Sequence, residues 1–90
     1  MMRIITGKAR GVRLDAPAGE NTRPTAERAK EAIFSMLQFE LEDRQVLDLF
    51  AGSGQLGIEA LSRGADSAVF VEQRKDALQA VRENLETCGF

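Results

Sequence analysis

The residues best suited to chemistry form a glycine-rich loop with a carboxylate placed after it. Gly52-Ser53-Gly54-Gln55-Leu56-Gly57 matches the pattern GxGxxG. It lies between a predicted strand and a predicted helix, where that pattern lets the helix amides face a ligand. Glu72 lies 15 residues after Gly57, at the end of the next predicted strand, where a carboxylate can accept hydrogen bonds from two ribose hydroxyls. The combination predicts a site for a nucleoside-containing cofactor. The alternative is a tight turn beside a surface acid.

Asp48 distinguishes between two such cofactors. It lies in an otherwise apolar stretch, four residues before Gly52. A carboxylate at the edge of the loop would repel the pyrophosphate of a dinucleotide such as NAD. A buried carboxylate needs a partner, and S-adenosylmethionine offers an ammonium and a sulfonium. Asp48 therefore favours S-adenosylmethionine, although it could also serve only to accept hydrogen bonds from loop amides.

The elements that must position these residues alternate between strand and helix. The pattern predicts helices at about 25–41, 56–63 and 74–87 and strands at 46–50 and 67–72. The two strands are nearly continuous in apolar residues, which is typical of a parallel sheet buried on both faces. The first helix carries one apolar stripe of Ala29, Ile33, Met36, Leu37 and Leu41. With two strands, the chain is expected to be the N-terminal part of a larger α/β domain, with apolar sheet surface left uncovered.

Composition excludes several kinds of chemistry. The 90 residues include no histidine and a single cysteine, Cys88, which excludes imidazole bases, a disulfide framework and a multi-thiolate metal site. No apolar run approaches the ~20 residues that cross a bilayer. We therefore expect a cytoplasmic protein of one domain at most, with no bound metal and no membrane contact.

Positive charge is concentrated at the N-terminus. The net charge is −2, yet the first 30 residues hold seven cations against three anions. Residues 2–14 fit a β-hairpin, with Lys8 and Arg10 at its tip and Arg3 and Arg13 on its strands. Such a segment either binds a polyanion or is simply a solvated basic surface.

Several separated stretches of the chain resemble one enzyme family. Residues 48–54 (DLFAGSG) and 56–65 (LGIEALSRGA) look like the cofactor loop of S-adenosylmethionine-dependent methyltransferases. More narrowly, they resemble the RsmD-type enzymes that methylate guanine N2 in bacterial small-subunit ribosomal RNA. The opening residues 2–11, the stretch 22–25 (TRPT) and Glu72 agree with the same family.

The resemblance implies a fold and a division of the chain. The fold would be α/β, the N-terminal part of a Rossmann-like class I methyltransferase sheet, preceded by a basic β-hairpin and a helix. Residues 1–24 would form the hairpin and a loop. Residues 25–90 would form the first helix and a truncated βαβα cofactor-binding half.

The resemblance also implies the site residues. Asp48, Gly52 and Gly54 would line the methionine and ribose part of an S-adenosylmethionine site, and Glu72 would hold the ribose hydroxyls. The whole set expected at the cofactor is Asp48, Phe50, Ala51, Gly52, Ser53, Gly54, Gly57 and Glu72. For Phe50, as for Phe70, packing in the sheet core is the alternative to stacking on adenine or a base. The residues expected to bind ribosomal RNA are Arg3, Lys8, Arg10, Arg13 and Arg23. For Arg23, a role in loop structure is an equal alternative.

The chain departs from the family pattern in three respects, one of which is Gln73-Arg74 after Glu72, where the family often has an acidic or polar residue. Gln55 stands where the family usually has a small residue, and the catalytic Asn/Asp-Pro-Pro-Phe/Tyr motif is absent from these 90 residues. We therefore expect this chain by itself to bind cofactor weakly and to lack methyltransferase activity. Two alternatives stay open: an NAD-binding oxidoreductase fragment that would tolerate Asp48→Ala, and a non-catalytic RNA-binding module that depends on Lys8 and Arg10.

Overall fold

A two-stranded parallel sheet with helices packed beside it forms the fold. The computed structural model describes residues 2–16, 24–49 and 51–90, apart from the side chains of residues 24–27. The chain order is helix α1 (Pro24–Leu37), strand β1 (Gln45–Leu49), helix α2 (Gln55–Ser62), strand β2 (Ser67–Val71) and helix α3 (Lys75–Cys88). The strands pair in register, so that Asp48 lies opposite Phe70. A parallel pair requires a crossover connection, and α2 provides it.

Four of the five predicted elements lie within a residue of their predicted bounds. They are β1, α2, β2 and α3. The end of α3 shows why: Gly89 caps the helix in the left-handed conformation, with φ of 79°, and glycine adopts it without a Cβ penalty. In the described part of the chain, no helix combines the length and apolarity needed to cross a bilayer.

The prediction for α1 was wrong in its extent and in part of its buried face, although Leu37 and Leu41 of the predicted stripe do pack in the core. The helix ends at Leu37, not Leu41, and turns follow it. Ile33 and Met36 of the predicted apolar stripe are exposed. The buried side carries Phe34 and the charged Lys30. Lys30 and Phe34 are four residues apart and therefore lie on one side of the helix. An apolar pattern in the sequence does not predict this side, because it includes a lysine whose partners lie far along the chain.

The sheet is covered on one face. Helix α2 packs on the side that carries Asp48 and Phe70: the Gly57 amide donates a hydrogen bond to Asp48, and a Cβ at Gly57 would meet the Phe70 ring. The opposite face carries four exposed apolar side chains, Leu47, Leu49, Val69 and Val71. The strands have the apolar pattern typical of burial on both faces, but in this chain the second face is bare because no described helix lies over it. Uncovered apolar sheet surface was expected and is present.

The N-terminal residues form a hairpin-like pair held by one antiparallel bridge, between Arg3 and Arg13. Its inward side chains, among them Ile4 and Leu14, pack around Ile58 of α2 in one core cluster. Residues 7–11 form turns, and the tip is bound to the end of α2. The predicted hairpin thus forms with very little regular strand, and it docks on a larger body as an isolated hairpin must.

Candidate cofactor site

The glycine loop turns sharply from β1 into α2. Gly52 and Gly54 both have positive φ, 59° and 81°, and Gly54 is the N-cap of α2. The Ala51 amide donates to the Val71 carbonyl at 2.9 Å, which ties the loop to the end of β2. The first amides of α2 therefore lie at the carboxyl edge of the sheet, where parallel α/β folds bind ligands.

Gly57 is required by close packing and has an ordinary φ. A Cβ there would lie 2.4 Å from Phe70 Cε1 and 3.2 Å from Asp48 Oδ2. The absence of a side chain lets α2 approach the sheet closely enough for the Gly57 amide to donate to Asp48 Oδ2 at 3.1 Å. Phe70 packs against the core cluster around Ile58. Of the two roles considered for Phe70, packing in the sheet core is therefore the one observed.

Asp48 is a buried carboxylate with spare acceptor capacity. Its side chain is almost fully enclosed. Among the described residues, the amide of Gly57 is the one hydrogen-bond donor it has. Burial raises the pKa of Asp48, and the Gly57 hydrogen bond lowers it by a smaller amount. A cationic ligand would stabilise this carboxylate. The hydrogen bond from the Gly57 amide also agrees with the alternative prediction, in which Asp48 only accepts hydrogen bonds from backbone amides.

Glu72 closes the other side of the loop. Its Oε1 accepts from the Gly52 amide at 2.8 Å, and its Oε2 accepts from the Arg74 amide at 3.0 Å. The Arg74 amide first, and then the Gly52 amide, hold the pKa of Glu72 below its usual range. Glu72 is therefore ionised at neutral pH. The Gln73 amide contributes to the same lowering of the pKa, and because a carboxylate has about four acceptor positions, Glu72 keeps acceptor capacity for a hydroxyl donor.

The structure brings most of the sequence-predicted cofactor residues to one edge of the sheet. They are Asp48, Ala51, Gly52, Ser53, Gly54, Gly57 and Glu72. The Ser53 hydroxyl is buried and donates to Met2 Sδ at 3.4 Å. Phe50 and Arg23 lie outside the described residues. Lys8, Arg10, Arg3 and Arg13 are all exposed on the N-terminal segment.

Sequence analysis missed Asn84, which supports the loop from behind. It is buried on α3, and its Nδ2 donates to the Ser53 carbonyl and to the Asp15 carbonyl, each at 2.9 Å. Its Oδ1 accepts from the Asp15 amide at 2.8 Å. The available signal was a polar residue in helical register with the apolar Ala77 and Val81.

Sequence analysis also missed Glu59, which is fully buried on α2. The Ile5 and Thr6 amides donate to its carboxylate at 2.8 and 3.1 Å. Lys30 Nζ lies 3.4 Å and Arg63 Nε 2.9 Å from its oxygens. Glu59 thus fixes the N-terminal segment and α1 to the helix that begins at the glycine loop.

Solved structures share this fold over almost the whole chain. The Escherichia coli protein YhhF, described as a putative methyltransferase, matches with a TM-score of 0.87 and 43% identity, over 98% of this chain and 48% of YhhF. The Thermus thermophilus hypothetical protein TTHA0928 matches with a TM-score of 0.85 and 41% identity, over 100% of this chain and 52% of that protein. The fold is therefore the N-terminal part of a Rossmann-like methyltransferase sheet.

Sequence comparison narrows this class to a family. A family model described as "Conserved hypothetical protein 95" matches residues 2–90. Ribosomal RNA small subunit methyltransferase D of Escherichia coli K12 is 44% identical over 86 residues, which are 96% of this chain and 43% of that protein. Bacillus subtilis YlbH is 50% identical over 86 residues, which are 96% of this chain and 47% of YlbH. The chain belongs to this family, the RsmD family, and it spans about half the length of these relatives.

Proposed function

We propose that the protein carrying this chain transfers a methyl group from S-adenosylmethionine to guanine N2 in small-subunit ribosomal RNA. The chain would supply the cofactor-binding part. The observation that supports this most directly is the buried Asp48, which has one hydrogen-bond donor among the described residues and lies beside a glycine loop closed by Glu72. Relatives named as small-subunit ribosomal RNA methyltransferases support the substrate. A ribosomal RNA substrate also supports the cytoplasmic location.

The site fits S-adenosylmethionine group by group. The spare oxygen of Asp48 suits the ammonium of the methionine part, and the remaining acceptor capacity of Glu72 suits a ribose hydroxyl. Positive φ at Gly52 and Gly54 gives the loop its tight turn, and a Cβ at Gly54 would meet Val81 of α3 at 3.1 Å. When bound, the cofactor supplies an electrophilic methyl group. The residues of this chain bind and orient it.

We further propose that these 90 residues alone are catalytically inactive. They contain no Pro-Pro sequence, and the family resemblance assigns contact with the target amine to an Asn/Asp-Pro-Pro-Phe/Tyr motif. Neither alternative from the sequence gains support. An NAD site would put pyrophosphate beside the Asp48 carboxylate, and a purely RNA-binding module gives the buried carboxylate no ligand.

Methyl transfer from tritium-labelled S-adenosylmethionine tests the proposal. The intact protein carrying this chain would be incubated with small-subunit ribosomal RNA, followed by nucleoside analysis. We expect label in N2-methylguanosine, and strongly reduced label with Glu72→Gln. Large-subunit RNA is the matched substrate control. Absence of label contradicts methyl transfer, whereas label in another nucleoside contradicts the guanine N2 assignment alone.

A further inference from the structure

Arg3 and Arg13 face each other directly across the N-terminal pair of segments. They form the antiparallel bridge, and the flanking amides of Ile4 and Leu14 donate to the opposite segment, each at 3.0 Å. This pattern makes the two arginines a non-hydrogen-bonded pair. In such a pair, Cα atoms are about 4.5 Å apart and the side chains approach most closely.

Two like charges in this position oppose folding of the segment. Like charges directly across an antiparallel pair are destabilising. Both side chains are exposed, and neither has an ion-pair or hydrogen-bond partner among the described residues. A shared anion would relieve the repulsion, and guanidinium groups suit phosphate oxygens because they donate in a planar fork.

The pair lies at the cofactor end of α2. Lys30 Nζ donates to the Arg3 carbonyl at 3.1 Å and to Gln55 Oε1 at 3.4 Å, and Gln55 is the first residue of α2. The neighbouring Met2 contacts Ser53 of the glycine loop. The backbone at Arg3 is therefore linked to the first residue of α2 through the Lys30 side chain, and the adjoining Met2 links it to the glycine loop.

The tip between the two segments is bound at the other end of the same helix. The Lys8 amide donates to the carbonyl of Ser62, the last residue of α2, at 2.8 Å. An eight-residue helix rises about 10 Å from its first residue to its last. The backbone of Lys8 is thus roughly one helix length from the Gln55 end of α2, whereas Arg10 is three residues from Arg13 along a chain that turns between them.

We propose that Arg3 and Arg13 form a phosphate clamp that holds a backbone phosphate of the RNA substrate beside the cofactor loop. Lys8 and Arg10 contribute general electrostatic attraction only. This inference rests on the proposed function and divides the basic residues into two groups with different roles.

Matched double substitutions in the intact protein test the clamp. Arg3→Gln/Arg13→Gln and Lys8→Gln/Arg10→Gln each remove two positive charges. With small-subunit ribosomal RNA, we expect the first to raise the KM for RNA about 10-fold and the second less than about 3-fold. The kcat and the calorimetric Kd for S-adenosylmethionine should change less than about two-fold, since phosphate contacts position the substrate.

Each outcome decides the question. Equal increases in KM for both variants overturn the clamp but leave the proposed function intact. A rise in the Kd for S-adenosylmethionine with Arg3→Gln/Arg13→Gln also overturns it, because the pair would then bind the cofactor carboxylate. Failure of the unsubstituted protein to methylate any RNA removes the proposed function and the clamp together.

A charge reversal separates the clamp from a structural role. Arg13→Glu converts the repulsive pair into an attractive cross-strand pair. We expect a higher unfolding temperature together with weaker binding of a single-stranded RNA probe. A lower unfolding temperature, or unchanged RNA binding, contradicts the clamp.

Discussion

Asp48 places a charge where the fold alone disfavours one. Its carboxylate is buried and receives one amide hydrogen bond among the described residues, from Gly57. Desolvation raises its pKa, so ionisation at neutral pH opposes folding. A group kept in a protein at such a cost is a candidate for binding, because a cationic ligand offsets the desolvation.

Asp48→Asn should therefore make the chain more stable and the cofactor site weaker. An asparagine Oδ1 still accepts from the Gly57 amide, but no charge is buried. At pH 7 we expect the unfolding temperature to rise by about 4–8 °C, the shift that ~1 kcal/mol produces in a domain of this size. Affinity for S-adenosylmethionine should fall about 10-fold, as for a lost charged hydrogen bond.

The gain in stability from this substitution should depend on pH. The pKa of Asp48 is higher in the folded chain than in the unfolded chain. The unsubstituted chain is therefore most stable relative to Asp48→Asn at a pH below the unfolded-state pKa, and it loses that stability as the pH rises through the folded-state pKa. The two unfolding temperatures should thus converge below about pH 4. A lower unfolding temperature for Asp48→Asn at pH 7 would show that the charge itself supports the fold.

Gly57→Ala should destabilise the chain through a steric conflict with Phe70. The added Cβ would lie 2.4 Å from Phe70 Cε1, and overpacking of this kind costs about 1–3 kcal/mol. Urea unfolding of both single variants and of Gly57→Ala/Phe70→Leu completes a double-mutant cycle. We expect the double variant to recover part of the loss. Strict additivity would place the cause elsewhere.

At the scale of elements, α2 connects the glycine loop to the N-terminal segment. Its first turn begins at the loop, and its residues Glu59 and Ser62 bind the backbone of residues 5–9. Glu59 also pairs with the buried Lys30 of α1. The helix is short, so its position depends on these side-chain contacts more than on its own hydrogen bonds.

Glu59→Gln should destabilise the chain strongly. Among the described residues, it leaves Lys30 buried without a charged partner, and breaking a buried pair costs about 3–5 kcal/mol. Urea unfolding measures the loss. The matched control is Glu83→Gln, which removes an exposed carboxylate hydrogen-bonded to Gln79 and should cost less than about 0.5 kcal/mol. Similar decreases in the free energy of unfolding for both variants would show that Glu59 does not hold α2, α1 and the N-terminal segment together.

The contrast between predicted and observed elements has a physical basis. The glycine loop, both strands and α3 could be predicted because local glycines and apolar runs define them. The face of α1 could not, since Lys30 is buried only through its contacts with Arg3, Gln55 and Glu59. Asn84 was missed for the same reason: its partners Asp15 and Ser53 lie 69 and 31 residues away. The periodicity of apolar residues does not predict contacts between polar residues that are this far apart in the sequence.

At the scale of the whole molecule, the uncovered sheet face governs behaviour in solution. Leu47 and Val69 are paired in register and are both more than half exposed, as is Leu49. Contiguous exposed apolar surface of this kind drives association. The 90-residue chain by itself should therefore self-associate as its concentration rises.

Leu47→Gln/Val69→Gln should weaken this association without unfolding the chain. Both side chains are already exposed, so the free energy of unfolding should change little. Burial of such side chains in an interface is worth about 1.5–3 kcal/mol each, so the dissociation constant should rise at least roughly 10-fold. Sedimentation velocity over a concentration series measures it. Met36→Gln, at an exposed site on α1, is the control. A monomer at every concentration contradicts the prediction.

Calorimetric titration with S-adenosylmethionine tests the central claim most directly. The intact protein carrying this chain would be titrated with S-adenosylmethionine and, separately, with NADH, beside the variants Asp48→Asn and Glu72→Gln. We predict saturable binding of S-adenosylmethionine, none of NADH, and at least about 10-fold weaker binding in each variant. Binding of NADH in its place, or S-adenosylmethionine binding that ignores both substitutions, would contradict the assignment of this loop as the methyl-donor site.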